Sequence, residues 1–400
     1  MMEKQMSDDP IVIVGMARTP MGGFQGDLAD VKAPQLGAIA IEGAMKRAGL
    51  TGDDIDEVVM GCVLPAGLGQ APARQASFGA GIPDTVGCTT VNKMCGSGMR
   101  AAMYAYDAIK AGSSNVMVAG GFESMTNAPY ILPKMRGGMR LGHGEVKDHM
   151  FLDGLEDAYE EGRLMGSFAE EMAGQYQFTR EAQDAYAIES LARAKKATED
   201  GTFDPEIVPV TVKTRKGDVV IERDEQALKG NPEKIPTLKP AFAKDGTVTA
   251  ANASSISDGG AALVMMRQSE AEKRGLKPIA VFHAHSTNAR KPSEFTIAPI
   301  GAISKVMDKV GWTKDDVDLF EINEAFAVVA MAAMKDLGLD HDKVNVHGGA
   351  CALGHPVGAS GARIVITLLN ALQKYGKKRG VAALCIGGGE ATAMAVELVA

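Results

Sequence analysis

Short unbroken apolar runs alternate along this chain with longer stretches whose apolar positions recur at helical spacing. In VNKMCGSGMRAAMYAYDAIKAG, residues 91 to 112, a short β-like run leads through a glycine loop carrying Cys95 into a helical pattern. VNVHGGACALGHPVGASGARIVITLLNALQKYG, residues 344 to 376, has the same layout, with His355 in the loop where the first stretch has its cysteine.

These stretches belong to a longer duplication. AMKRAGLTGDDIDEVVMG (44 to 61) reads like VMDKVGWTKDDVDLFEIN (306 to 323), each a helix end, a Gly-apolar turn, a T-x-D-D start signal and a buried strand, at an offset of 262. GSGMRA (96 to 101) matches ASGARI (359 to 364) at an offset of 263, and VMVAGGFESM (116 to 125) matches ALCIGGGEATAM (383 to 394). Three matches in order at nearly one offset predict two homologous α/β halves, each a mostly buried sheet with helices on its faces.

Residues 122–250 resemble neither half. They combine loops such as APYILPKMRGGMRLGHG with a helix expected from Arg180 to Asp200, capped by Thr179 and stopped at Gly201. Residues 251–275 return to the first half, so the expected division is 1–121 with 251–275, an inserted loop domain at 122–250, and a second half at 276–400. Four hundred residues are consistent with more than one core.

Composition narrows the function. A formal charge of −8 argues against a nucleic-acid or anionic-membrane partner. The start, MMEKQMSDDP, reads as neither a signal nor a transit peptide, and no long uncharged apolar run predicts a membrane span. Five cysteines, odd in number and without a CxxC pair, predict reduced thiols in the cytoplasm rather than disulfides or zinc. The histidines show no metal-ligand spacing, so no metal site is expected.

Four groups carry candidate chemistry. Cys95 precedes Gly96-Ser97-Gly98 at a strand-to-helix turn, where the helix macrodipole is expected to lower the thiol pKa and make a nucleophile; the alternative is a structural cysteine. His355, in GHPVGASG, fits the base that takes the thiol proton, or a merely polar loop residue. Cys385, before three glycines, reads equally as a second thiol or as apolar core. Asn323, in FEINEAFA, reads first as a helix N-cap and second as a holder of a water or a carbonyl oxygen. The GGG run is no dinucleotide loop, because the chain ends eleven residues after Gly389.

With NKMCGSG, GGFESMTNAPY, INEAFA, GGACALGHPVGASGAR and CIGGGEATAM, the chain resembles the thiolase family over essentially its whole length. The resemblance implies duplicated βαβαβαββ halves in five α-β-α-β-α layers, with a loop domain inserted in the first. It implies an acyl-CoA:acetyl-CoA acyltransferase, foremost acetyl-CoA C-acetyltransferase, with a broader 3-ketoacyl-CoA thiolase of fatty-acid metabolism as the alternative. Cys95 would be acylated, His355 would activate it, and Cys385 would move the α-proton. Asn323 with His355 would hold one thioester oxygen, and the N–H groups of Cys95 and Gly387 the other. Ser254, Phe242, Phe326, Met165, Lys229 and Phe295 would meet coenzyme A or the acyl group. No cofactor would be bound permanently; the partners would be acetyl-CoA, 3-ketoacyl-CoA and CoA, and the assembly a homodimer or homotetramer.

Three positions depart from the family pattern. Leu164 stands where acetyl-specific members commonly have histidine, Phe295 where they have methionine, and Leu228 where an arginine is common, with Lys229 beside it. A ketosynthase of the same fold is disfavoured by Cys385, and a non-catalytic acyl-CoA binder by the presence of all three reactive side chains.

Overall fold

Ile11–Arg18 forms strand β1 with all eight residues buried, as its unbroken apolar run requires of a strand covered on both faces. The computed structural model describes residues 9–399; residues 1–8, which hold most of the mixed-charge start, and Ala400 lie outside the described residues.

The first half then runs α1 (Ala33–Ala48), β2 (Glu57–Gly61), α2 (Pro72–Gly79), β3 (Gly87–Val91), α3 (Ser97–Ala111) and β4 (Val116–Ser124). An excursion follows, with helices α4 (Met165–Tyr176) and α5 (Arg180–Glu199), before β5 (Ser257–Arg267) completes the half. The second half comprises β6 (Ala280–Ala289), α6 (Ala298–Val310), β7 (Leu319–Ile322), α7 (Ala327–Leu337), α8 (Val357–Tyr375), β8 (Arg379–Ile386) and β9 (Glu390–Leu398).

The strand order is β7-β8-β9-β6-β1-β5-β4-β2-β3. Read outward from the centre, β1-β5-β4-β2 and β6-β9-β8-β7 are the same sequence of elements, so the duplication is a pseudo-twofold of the fold. The two sheets meet where β1 pairs antiparallel with β6, Ile11 opposite Phe282 and Ile13 opposite Ala280.

Helix α8 is buried without interruption from Val357 to Leu372, the mark of a helix surrounded by protein. It packs with α3 between the sheets, in one core with Leu263 and Met265 of β5 and Leu384 and Met394 of β8 and β9. Helices α1 and α2 cover the outer face of the first sheet, and α6 and α7 that of the second. Five α-β-α-β-α layers result, as the family resemblance implies.

One expected strand is missing from the second copy. Val344 makes only an isolated bridge to Phe320. The Asn345 side chain takes over the ladder, accepting from the Ile322 N–H at 2.8 Å and donating to the Ile322 carbonyl at 2.8 Å. An amide side chain thus replaces the next strand residue, and the backbone turns away with Asn345 at φ 49°.

The excursion between Ser124 and Ser257 holds α5 as expected, with Thr179 accepting from the Ala182 N–H, and a hairpin (Val210–Thr214 with Gly217–Ile221) that periodicity did not reveal. Arg18 of β1 anchors it: fully buried, it donates to Glu206 at 2.5 Å and to both oxygens of Asp224 at 2.7 and 2.8 Å. Among the described residues no helix is long and apolar enough to cross a membrane.

Candidate active site

Both reactive loops sit immediately before the central helices. Cys95 precedes Gly96, the N-cap of α3; His355 precedes Pro356, the N-cap of α8. The helices cross where Gly98 faces the backbone of Gly358 and Ala362, and Gly361 faces Met99. This contact pairs Gly98 with Gly361, the offset of 263 read from sequence. On that register Cys95 corresponds to Gly358, so α8 begins one turn earlier and His355 stands just ahead of the added turn.

The Cys95 loop is fixed locally. Asn92 Oδ1 accepts from the Met94 N–H at 2.9 Å, and the Ser97 hydroxyl accepts from the Lys93 N–H and donates to the Met94 carbonyl. Lys93 pairs with Glu390 of the second half and so ties this loop to the one after Cys385.

Cys95, His355 and Gly387 share a cavity of about 590 Å³. The backbone N–H groups of Gly387 and of Cys95 itself favour the thiolate form of the Cys95 sulfur. The expectation of a lowered thiol pKa is not met: burial pushes Cys95 up to about 11, and the two N–H groups offset only part of that. The resting sulfur is therefore a thiol that must lose its proton as it reacts.

His355 is buried, and desolvation followed by the charge of Arg363 lowers its pKa to about 3. The Ser360 hydroxyl spends its hydrogen on the Pro356 carbonyl at 3.0 Å and must accept from His355 Nδ1–H at 2.5 Å. Nε2 then carries the free lone pair of a neutral imidazole.

Asn323 is not a helix cap. Helix α7 starts four residues later, with Phe326, itself extended at φ −143° and ψ 152°, as its N-cap. There the Asn323 N–H bonds to the Ala383 carbonyl, the Ser254 N–H to the Ala325 carbonyl, and Ala253 bridges Phe326. That pairing brings Ser254 and Phe326 to the cavity wall. The Asn323 side chain lies beside His355, Nδ2 to Nε2 3.5 Å.

Cys385 is fully buried on β8 and does not line the cavity, but its thiol feels the charge of Cys95 and is raised well above the ordinary range, first by burial. Ile386, the residue after Cys385, packs against Gly96, the residue after Cys95.

The remaining expected residues all reach the cavity: Met165, Phe242, Phe295, Phe326, Ser254 and Lys229. Phe326 stands edge-on to Phe242 at 6.0 Å and to Phe295 at 6.3 Å, and Leu164 lines the same wall. Lys229 is at the mouth, donating to Glu225 at 2.5 Å and to Asp27 at 3.4 Å, while Leu228 is outside the lining.

Sequence reading missed Glu123. Its buried carboxylate accepts the N–H groups of Val63, Leu64 and Gly358, joining both halves directly behind the reactive loops. It lies in the GGFESM motif, the only signal that would have marked it.

Models of the thiolase N-terminal and C-terminal domains match residues 11–269 and 276–398. The acetyl-CoA acetyltransferase of Syntrophomonas wolfei is 49% identical over 97% of this chain and 98% of its own length. Acetyl-CoA acetyltransferase 2 of Arabidopsis thaliana is 50% identical over 97% of each. Among solved structures, the Bacillus anthracis acetyl-CoA acetyltransferase superposes with a TM-score of 0.95 at 43% identity, covering 98% of this chain and 99% of that one. The Ascaris suum Acat5 thiolase in complex with coenzyme A gives 0.92 at 43% identity, covering 98% and 100%. With its duplicated halves, the thiol and imidazole at one cavity, and these matches along nearly all its length, this chain is an acyltransferase enzyme that belongs to the thiolase family.

Proposed function

We propose that this protein is an acetyl-CoA C-acetyltransferase that reversibly converts two acetyl-CoA into acetoacetyl-CoA and CoA. The observation that carries the reading is the convergence of Cys95, neutral His355 and the Gly387 N–H on one cavity, with Cys385 just behind. The relatives named above, both acetyl-CoA acetyltransferases, point the same way.

In the thiolysis direction, the Cys95 sulfur attacks the ketone carbon of acetoacetyl-CoA while its proton passes to His355 Nε2. The oxygen of the resulting tetrahedral centre is held by the N–H groups of Cys95 and Gly387. Collapse breaks the carbon–carbon bond and expels the enolate of acetyl-CoA, whose oxygen faces Asn323 and His355. Cys385 gives its proton to the enolate carbon. Free CoA then surrenders its thiol proton to the Cys385 thiolate and attacks acetyl-Cys95, and the departing Cys95 sulfur recovers the proton from His355. Condensation is the reverse, and the kinetics are ping-pong. Burial that raises both thiols and lowers the imidazole supports this scheme: the three reacting groups start out neutral, and charge develops only where donors already point.

Phe242, Phe295 and Phe326 stand edge to face in the cavity lining, bulk that supports a short acyl group. CoA enters at the mouth past Ser254, Met165 and Lys229. The protein works in the cytoplasm as a homodimer or homotetramer, with the loop domain at 122–250 serving CoA and the subunit contacts. Exposed Tyr130, Leu132, Leu141 and Val146 support that last role.

Thiolysis of 3-ketoacyl-CoA substrates from four to sixteen carbons tests the reading. Activity confined to acetoacetyl-CoA is expected. Activity at long chains makes the protein a broader thiolase, and no activity on any chain length removes the proposal.

A further inference from the structure

We infer that Arg363 is a positioning residue for Asn323: its guanidinium turns the Asn323 amide so that the NH2 group faces His355 and the reacting thioester oxygen. The inference rests on the roles proposed above for Asn323 and His355.

Arg363 lies on α8, two turns beyond His355, and is 1% exposed. It donates through one terminal nitrogen to Glu321 Oε1 at 3.0 Å and through the other to Asn323 Oδ1 at 3.4 Å. Guanidinium has donors only, so the amide must present its oxygen to Arg363 and its nitrogen to the opposite side. On that side Nδ2 is 3.5 Å from His355 Nε2. Were the amide turned over, two sets of N–H donors would face each other at Arg363. The carbonyl would then point at the place where the enolate oxygen gathers negative charge.

The ion pair has no strong claim as a stabilising element. A buried Arg–Glu pair is often no better for stability than apolar side chains of similar size, and the Arg363 Nε is itself buried without a partner. Its placement in line, from Glu321 through Arg363 and Asn323 to His355, is that of a device for orientation.

The decisive variant is Arg363→Met/Glu321→Gln, which removes the guanidinium together with its carboxyl partner. With the full-length protein and acetoacetyl-CoA, kcat is expected to fall roughly 10- to 100-fold, short of the ~10²–10³-fold cost of losing a whole oxyanion donor. KM and the labelling of Cys95 by acetyl-CoA stay near wild type. Arg363→Lys recovers part of kcat, since an ammonium still donates to Oδ1. Placed on Asn323→Leu, the double substitution adds no further loss, because the amide through which it acts is gone. Wild-type kcat in the double variant overturns the inference, as does an additive loss on Asn323→Leu. Collapse of the fold in both Arg363 variants makes the residue structural and overturns it too. A wild-type protein that fails to cleave acetoacetyl-CoA refutes the functional reading instead.

Discussion

Replacing Gly361 by alanine adds one methyl group at the crossing of α3 and α8. A Cβ there falls 2.3 Å from the Met99 nitrogen and 3.0 Å from its Cα, all backbone that cannot step aside as a side chain would. Restoring ordinary contact, at roughly 3.5 Å, parts the helices by about 1 Å. Overpacking of this kind costs about 1–3 kcal/mol, and the helix propensity gained on replacing glycine returns up to about 1 kcal/mol. The net expectation is a loss of ~1–2 kcal/mol. Turnover suffers more, because α3 and α8 carry Cys95 and His355 just ahead of their first turns, and a misplacement of about 1 Å can cost ~10²-fold. Gly174→Ala on α4 is the control: the same methyl group meets nothing within 4 Å there, so it should stabilise by about 0.5–1 kcal/mol and leave kcat alone. Thermal melting and acetoacetyl-CoA thiolysis of both variants decide the matter. If Gly361→Ala melts and turns over like wild type, or Gly174→Ala loses as much, the crossing is not the constraint described.

Cys95→Ala should abolish acetyl labelling from acetyl-CoA and all turnover; label found on another residue would move the nucleophile elsewhere. Cys385→Ser should still be acetylated at Cys95 yet lose most condensation, and normal condensation would return Cys385 to the role of core residue. His347 is buried with neither ring nitrogen bonded, and burial followed by Lys374 lowers its pKa to about 4. Its unfolded form binds a proton below about pH 6.5 while the folded form does not, so stability is lost as pH falls from ~6.5 towards 4, by at most about 3 kcal/mol. His347→Leu should flatten that acid limb in denaturant titrations at pH 7 and pH 4.5, and an unchanged pH dependence would show that other groups set it.

The duplication was legible because its matched strands, turns and glycines keep nearly one offset, and the pairing of Gly98 with Gly361 shows why: backbone packed on backbone tolerates no change of register. The reactive side chains were legible for a related reason, since each stands in a loop rich in glycine. What escaped was decided by long-range competition. At Cys95 the helix terminus and burial push the thiol in opposite directions, and burial wins only because the folded chain covers the sulfur. Asn323 looked like a cap because the pairing of 252–254 with 325–327, which delays the helix, joins segments some seventy residues apart. Arg363 and Glu321 read as ordinary members of an α8 and a β7 pattern, and only tertiary contact places them behind Asn323. The strand lost at Val344 was hidden in the same way, since a side-chain amide leaves no trace in apolar periodicity.

The place of β1 between β5 and β6 bears on how this protein is made. Both strand neighbours of its apolar stretch IVIVGMAR lie beyond residue 256, so apart from the bridge of Arg18 to Ile207 its edges find no partner until some two-thirds of the chain has left the ribosome. At ~5–20 residues per second that delay is about 12–50 s, during which the unpaired strand offers itself to any other nascent chain. Any product truncated before Ser257 keeps that strand open permanently and has no route to a closed first half.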